Sequence, residues 1–225
     1  MPLGLLALAA ASGIAAVSTA CGVNMVFTMR ASADHSSKLR AGLPYLLGSA
    51  MGAITVGIVL SLVGRVISAF VPAIATGGSL LPGTLATLGL LLGLREFGIV
   101  SFNVPQRNSQ LNYAALAGTG VSLRMLAFGF WLGVGFLTFS PYAGLHLLGL
   151  ATILLADPLT GAVFFGAFGI ARALTVISLG LSAGSWEDAA SLADLVAAKY
   201  NLAHRLIGGT LLAVAGLASL GMVAR

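Results

Sequence analysis

The sequence predicts an all-α integral membrane protein with six transmembrane helices arranged as a 3+3 inverted repeat. Composition sets the class, because 58% of the 225 residues are hydrophobic and 8% are charged, whereas soluble domains average about 25% charged residues. The mean hydropathy of +1.03 agrees with this class. A β-barrel is disfavoured because runs such as GLHLLGLATILL do not alternate apolar and polar residues.

Six apolar stretches are long enough to cross a bilayer, since a helical span needs about 20 residues. They lie at 4–29, 43–70, 79–99, 121–155, 158–182 and 204–223. The first, second and fourth exceed the necessary length. We expect each of these three to tilt, to break or to extend past the membrane surface.

Lysine and arginine residues fall in alternate predicted loops, which sets an orientation, because cytoplasmic loops retain basic residues. The first, third and fifth loops carry Arg30, Lys38, Arg40, Arg95, Arg107, Arg124, Lys199 and Arg205. We therefore expect a multi-pass protein of the cell's inner (plasma) membrane with both termini outside. The net charge of +5 follows mostly from this bias, and it favours anionic membrane lipid as a partner. We expect no nucleic-acid partner.

Glycine pairs four positions apart indicate closely packed helices, because both glycines of a pair lie on one helix face. The pairs are Gly48/Gly52, Gly89/Gly93, Gly129/Gly133 and Gly180/Gly184, from 30 glycines in all. We expect these faces to pack against each other within the chain. The alternative is a homo-oligomer formed through one of them.

A weak internal repeat recurs at a spacing of 120 or 121 positions. The segments TACG at 19–22 and SPYA at 140–143 occupy matching positions, as do the Thr-Val pairs at 55–56 and 175–176. Three spans per repeat force the two halves into opposite orientations, which is the plan of many transporters.

The repeat divides one predicted membrane domain into two halves, residues 1–112 and 113–225. The first half ends with a predicted cytoplasmic connecting loop. The second half includes a predicted amphipathic segment at about 185–203, which we expect to lie in the membrane interface.

Function is expected where helices break inside the membrane, because unwound backbone is tolerated there only if it lines a cavity or a partner. Pro141 removes a backbone donor and predicts a kink or break in the fourth span. The matching point of the first span is the TACG segment at 19–22. We expect the functional centre to lie where these two helices break.

Several segments resemble the cytochrome c biogenesis transmembrane family, which includes the CcdA and DsbD membrane domains. FGFWLGVGFLTFSPYAG and LLGLATILLADPLTGAVFFGAFGIARALTV resemble the second half of that domain. AAVSTACGVN resembles its first helix, and LGLREFGIVSFNVPQRNSQ resembles its third helix with the connection that follows. The resemblance implies transfer of thiol reducing equivalents from a thioredoxin-like partner across the membrane, through two cysteines.

The resemblance assigns Cys21 to the first cysteine position and Tyr142 to the second. Thiol exchange needs a second thiol to resolve the mixed disulfide, which a tyrosine does not supply. Three interpretations stay open. Cys21 is the catalytic residue and works with a partner's cysteine, or the scaffold transports a small solute or metal ion, or the chain is a non-catalytic subunit of a larger membrane complex.

Other residues in or beside the predicted breaks are candidates for lining a substrate cavity, since polar groups within a span must be hydrogen-bonded or face water. They are Asn24, Ser140, Pro141, Tyr142, His146 and Arg172. We expect Asn24 and His146 to flank one site from opposite halves, with an interhelical hydrogen bond as the alternative for each. One Cys and one His supply too few ligands for a metal site, and we expect neither a metal nor a cofactor.

Arg172 is the residue that is costliest to bury, because an arginine stays charged. We expect it to pair with Asp157 or Glu96, with binding of an anion as the alternative. Glu96 is also expected to pair with the neighbouring Arg95 at the end of the third span.

Overall fold

A computed structural model of the chain describes residues 2–30, 35–71, 80–105, 118–136, 142–182, 191, 194 and 198–223. The helices with both ends in these ranges are α1 (Pro2–Ala15), α2 (Ala20–Arg30), α3 (His35–Phe70), α4 (Leu80–Glu96), α5 (Val121–Val134), α6 (Gly144–Leu155), α7 (Pro158–Ser182) and α8 (Tyr200–Val223). The described residues contain helices and no strand, which confirms the predicted all-α class. Most of the predicted amphipathic segment at 185–203 lies outside them.

Three helices are individually long and apolar enough to cross a membrane: Arg40–Phe70 within α3, the whole of α7, and Tyr200–Met222 within α8. The bent pair of α1 and α2 supplies a fourth candidate when it is counted as one span. Helices α5 and α6 are apolar but shorter, with 14 and 12 residues. The described residues thus form an all-α membrane protein with three to four candidate spans.

The first predicted span is broken next to the TACG segment. A 3-10 turn at Ala16–Ser18 follows α1, and Thr19 is extended, with φ −81° and ψ 157°. Helix α2 then departs at 74° from α1. The Ser18 hydroxyl donates to the Ala15 carbonyl at 2.7 Å, so a side chain satisfies a backbone acceptor that the broken helix leaves free.

The fourth predicted span is interrupted as well. Helix α5 ends at Val134, and Gly135 has φ +69°, a left-handed conformation that glycine adopts without steric cost. Helix α6 begins at Gly144. Ser140 and Pro141, where the sequence predicts the break, lie outside the described residues.

Helices α3 and α5 run parallel in close contact along two of the predicted glycine pairs. A Cβ atom built on Gly48 lies 2.0 Å from the carbonyl oxygen of Leu126, and one built on Gly133 lies 2.1 Å from that of Ser49. The other glycine of each pair meets the backbone of the facing helix in the same way. Because these glycines carry no side chain, the backbones of the two helices can touch.

Helix α7 crosses α3 in the antiparallel direction. The Ser49 hydroxyl donates to the Gly169 carbonyl at 2.8 Å, and Gly57 and Gly161 approach each other's backbone farther along the crossing. The buried apolar residues form two clusters. The first core cluster contains Tyr142 and side chains of α1, α4, α6, α7 and α8; the second core cluster contains Cys21 and side chains of α2, α3, α5 and α7.

The turn between α6 and α7 is fixed by hydrogen bonds. The Asp157 carboxylate accepts the Thr160 hydroxyl and the Thr160 backbone N–H, the latter at 3.0 Å, and caps α7. The Thr160 hydroxyl is the largest cause that holds the pKa of Asp157 below its usual value. Arg65 on α3 donates to the Ala156 carbonyl at 2.9 Å, so the turn is tied to α3.

Candidate functional site at the meeting of the helix breaks

The two helix breaks meet through Ser18 and Tyr142. The Tyr142 phenol oxygen forms a short hydrogen bond with the Ser18 hydroxyl oxygen. Because the Ser18 hydroxyl already donates to the Ala15 carbonyl, the phenol is the donor in this pair. Tyr142 is 1% exposed, so a buried polar contact joins the 3-10 turn after α1 to the segment that leads into α6.

Glu96 forms the centre of a polar network beside this contact, and its side chain is 0% exposed. One carboxylate oxygen accepts from Arg95 Nη1 at 2.7 Å and from the backbone N–H of Ala143 at 2.8 Å. The other is bonded to His204 Nδ1 at 2.5 Å. A single carboxylate therefore links the end of α4, the start of α6 and the second turn of α8.

Two tyrosine rings lie beside the imidazole ring of His204. The His204 ring centroid lies 4.9 Å from that of Tyr142 and 4.5 Å from that of Tyr200. The two tyrosine rings lie 5.9 Å apart. The Glu96 side chain is itself buried, and the low dielectric constant of the interior strengthens the charge-assisted bonds to it. We call Ser18, Glu96, Tyr142 and His204 the polar centre.

The chain after α4 folds back toward α6. Gly98 has φ +74°, which permits the turn that follows Arg95. Arg95 Nε donates to the Phe102 carbonyl at 3.0 Å, and His146 Nε2 lies 2.6 Å from the Pro105 carbonyl oxygen. A carbonyl only accepts, so His146 Nε2 carries the proton. Its buried Nδ1 has no hydrogen-bond partner among the described residues.

Cys21 and Asn24 form no described hydrogen bond with the polar centre. Cys21 is 1% exposed and belongs to the second core cluster, whereas Tyr142 belongs to the first. The Asn24 side chain is exposed on α2, and His146 faces Pro105. Among the described contacts, none brings Asn24 and His146 to the shared site that the sequence predicts.

Arg172 is buried and pairs with neither Asp157 nor Glu96, so the predicted pairing is wrong. Its Nη1 donates to the Leu132 carbonyl at 2.8 Å, while its Nε and Nη2 have no hydrogen-bond partner among the described residues. The two carboxylates have other partners: Asp157 accepts from Thr160, and Glu96 accepts from Arg95 and Ala143. Arg172 therefore keeps free donors in the protein interior.

The predicted Arg95–Glu96 pair is present, but Glu96 is buried and has more partners than the sequence indicates. Sequence reasoning missed the role of His204 and placed Glu96 at the interface. One signal was available, since Glu96 is the single acidic residue inside any of the six predicted spans. Intramembrane carboxylates are costly and usually functional.

A groove of about 220 Å³ reaches the polar centre from one side. It runs between α1, α7 and α8, and its lining includes Ser18, Thr175 and Lys199 among apolar side chains. No group of three His, Cys, Asp or Glu side chains suited to a metal ion occurs in the described part of the chain. The arrangement is suited to exchanging protons and to hydrogen-bonding a small polar molecule.

Comparison with known proteins identifies a distant curated relative. No family model matches the chain, and no solved structure matches it. The chain is similar to the methylamine utilization protein MauF of Methylobacillus flagellatus, with 28% identity over 174 residues. The match covers 75% of this chain, and the chain spans 60% of the length of MauF.

Proposed function

We propose that the chain is a six-span membrane transporter, built as an inverted repeat, that couples movement of a small solute to protonation of its polar centre. The observation that carries the proposal is the buried carboxylate of Glu96, which bonds to α6 and α8 at the point where the two helix breaks meet. Solute sites at broken helices near the repeat interface are characteristic of inverted-repeat transporters.

The positions at which the helices of the two halves contact each other support the inverted repeat. Ser49 donates to Gly169, its own counterpart at a spacing of 120 positions, as a residue on a pseudo-two-fold axis would. Gly13 lies against the backbone of Phe168 and Arg172. Its counterpart 120 positions later, Gly133, lies against Ser49, one position from Gly48, which is the counterpart of Phe168. This second contact thus recurs within one position of the predicted spacing.

The proposed topology has both termini outside the inner membrane and the end of α4 on the cytoplasmic side. The bias of lysine and arginine toward alternate loops supports this orientation. It places Glu96 and His204 near the cytoplasmic ends of their helices, where the groove beside Ser18 gives a route to the polar centre.

Protonation of Glu96 is the proposed switch. The ionised carboxylate holds Ala143 at the start of α6 and His204 on α8. A protonated carboxyl group loses its charge and part of its capacity to accept hydrogen bonds, so both attachments weaken together. Helix α6 is then free to move relative to α4 and α8, which opens the centre on one side of the membrane.

Methylammonium is the solute to test first. MauF carries the name of a methylamine utilization protein, and the chain resembles it over most of its own length. The chemistry of the site agrees, because an ammonium ion binds favourably to a carboxylate and to the faces of tyrosine rings. Glu96 with Tyr142 and Tyr200 offers both.

The test is uptake of radiolabelled methylammonium by proteoliposomes with an imposed pH gradient. We expect uptake by the unaltered protein to exceed that of protein-free vesicles. The Glu96→Gln variant should lose about 90% or more, since removal of a charge-assisted site of this kind costs roughly 1.5–3 kcal/mol. Thr55→Val, at an exposed hydroxyl bonded only to its own helix, is the matched control and should retain uptake. Equal uptake by Glu96→Gln and the unaltered protein contradicts the proposal.

Thiol electron transfer with a thioredoxin-like partner is the second candidate. It follows from the resemblance to the CcdA and DsbD membrane domains, and one observation favours it. Cys21 is the second residue of α2, directly after the break, and the start of a helix stabilises an anion such as a thiolate. Its burial in the second core cluster requires that the break opens before the thiol reacts.

Alkylation in intact cells tests this candidate. If it is right, a membrane-permeant reagent labels Cys21, and non-reducing gels show a reducible adduct with a second protein that disappears in Cys21→Ser. A thiol that stays unlabelled and forms no adduct, under oxidising and reducing conditions alike, removes the candidate. Methylammonium uptake by Cys21→Ser separates the two functions, because transport alone does not need the thiol.

A further inference from the structure

The groove beside Ser18 combines a positive charge with apolar walls. Its large apolar lining residues are Ile14, Val17, Leu179, Leu202 and Leu206. Lys199 also lines the groove, and it is exposed. In the described part of the chain its ammonium group forms no ion pair. The groove is therefore suited to an amphiphile with an anionic head and an apolar tail.

The charge lies at the edge of a candidate membrane span, and the apolar walls lie within it. Lys199 directly precedes the candidate span Tyr200–Met222. Leu206 follows in the second turn of α8, so the chain rises by about 10 Å between the two residues. On the opposite wall, Leu179 lies in the last turn of α7 and Thr175 one turn earlier. A phospholipid has the same order, with its charge in the headgroup and its acyl chain pointing inward.

The groove opens toward the side of the helices and not only toward their ends. Ile14, Leu202 and Leu206 line it and are 49%, 48% and 53% exposed. All three belong to helices that are candidates for crossing the membrane, with α1 counted together with α2. Their exposed surfaces therefore face lipid rather than water.

We propose that the groove binds one anionic phospholipid, with its phosphate on Lys199 and one acyl chain along the apolar walls. Basic pockets between transmembrane helices on the cytoplasmic side are typical sites for anionic headgroups, and the orientation proposed above places Lys199 on that side. The binding itself does not depend on the proposed transport function. Where both hold, a bound chain closes the route to the polar centre beside Ser18.

Selectivity for an anionic lipid comes from the headgroup. An acyl chain is already in an apolar medium inside the bilayer, so it gains packing contacts in the groove and little from the hydrophobic effect. A zwitterionic headgroup also brings a cation close to Lys199, which offsets the attraction to its phosphate. A free phosphate ion would contact Lys199 and leave the apolar walls uncovered.

The test is native mass spectrometry of the full-length protein from micelles that contain equal amounts of dioleoylphosphatidylglycerol and dioleoylphosphatidylcholine. We expect one retained phosphatidylglycerol per chain and a preference of about fivefold over phosphatidylcholine, the ratio expected for one lysine near an anionic surface. Lys199→Gln should remove this preference. Arg205→Gln is the matched control, because it removes the same charge from an exposed residue of α8 that does not line the groove, and it should keep the preference.

A second variant tests the apolar walls. Thr175→Phe narrows the groove and keeps Lys199, and the fold should persist because the Thr175 hydroxyl donates to a carbonyl of its own helix. This variant should lose the retained phosphatidylglycerol. Equal retention of both lipids by the unaltered protein, or an unchanged preference in Lys199→Gln, overturns the proposal. Unchanged retention by Thr175→Phe overturns it as well, because the lipid is then held outside the groove.

Discussion

Replacing Gly48 with valine is expected to separate α3 from α5 and to destabilise the fold by about 3 kcal/mol or more. A Cβ atom at position 48 would lie 2.0 Å from the Leu126 carbonyl oxygen and 2.9 Å from the Phe130 nitrogen. Both atoms belong to helix backbone, so no side-chain rotation relieves the clash. Relief requires that α5 moves as a whole, which also breaks the facing contact between Gly133 and Ser49.

The measurement is reversible unfolding in mixed detergent micelles, followed by circular dichroism and by protease accessibility of α5. Gly209→Val is the matched control, because Gly209 lies on α8 with nothing within 4 Å of an added Cβ atom. The control should unfold at the same denaturant fraction as the unaltered protein. A Gly48→Val variant that matches the control contradicts the close approach of α3 and α5.

Glycine spacing shows how much of this packing the sequence predicts. A pair four positions apart identifies a face that admits another helix, since this depends only on helix periodicity. Which helix packs against that face is not predictable in the same way. The contact between the Gly48 face and the Gly129 face joins residues far apart in the chain, and local spacing carries no information about which faces meet.

The helix breaks are the part of the site that local sequence predicts best. Pro141 and its match in the repeat, TACG at 19–22, predict the two interruptions, and the structure has them at 16–19 and at Gly135. Composition predicts the number of membrane spans less well. Helices α5 and α6 are apolar yet too short to cross alone, so only tertiary packing decides whether they act as one span.

The centre of the site depends on contacts that no local pattern encodes. Glu96 meets Ala143 across 47 positions and His204 across 108. Its neighbour Arg95 is adjacent in sequence, and that pair alone was predictable. The same reason explains the error at Arg172, whose partner is the backbone carbonyl of Leu132. A search of the sequence for acidic side chains does not find backbone carbonyl acceptors near a helix end.

Arg172 is a buried cation that forms no ion pair with a carboxylate of the described residues. It is 1% exposed, its Nη1 donates to a carbonyl, and its Nε and Nη2 donate to no residue in the described part of the chain. The carbonyl lies in the last turn of α5, where the helix dipole is negative, and this offsets part of the desolvation cost. An unmet buried donor costs about 1–3 kcal/mol. The retained charge is therefore expected to serve function at the expense of stability.

Replacing Arg172 with methionine is accordingly expected to stabilise the fold, by about 1–4 kcal/mol, as is often found when apolar residues replace buried ions. A methionine side chain occupies a similar part of the core and has no N–H donors that need partners. The Leu132 carbonyl loses the hydrogen bond from Arg172 but stays within its helix. The same unfolding measurement checks this. Arg172→Lys, which keeps a charge without the planar donor fork, should not be stabilised. If Arg172→Met is instead destabilised by several kcal/mol, the guanidinium has a strong partner in the native membrane, such as a bound anion. Its Nε and Nη2 donors then do not lower the stability of the fold.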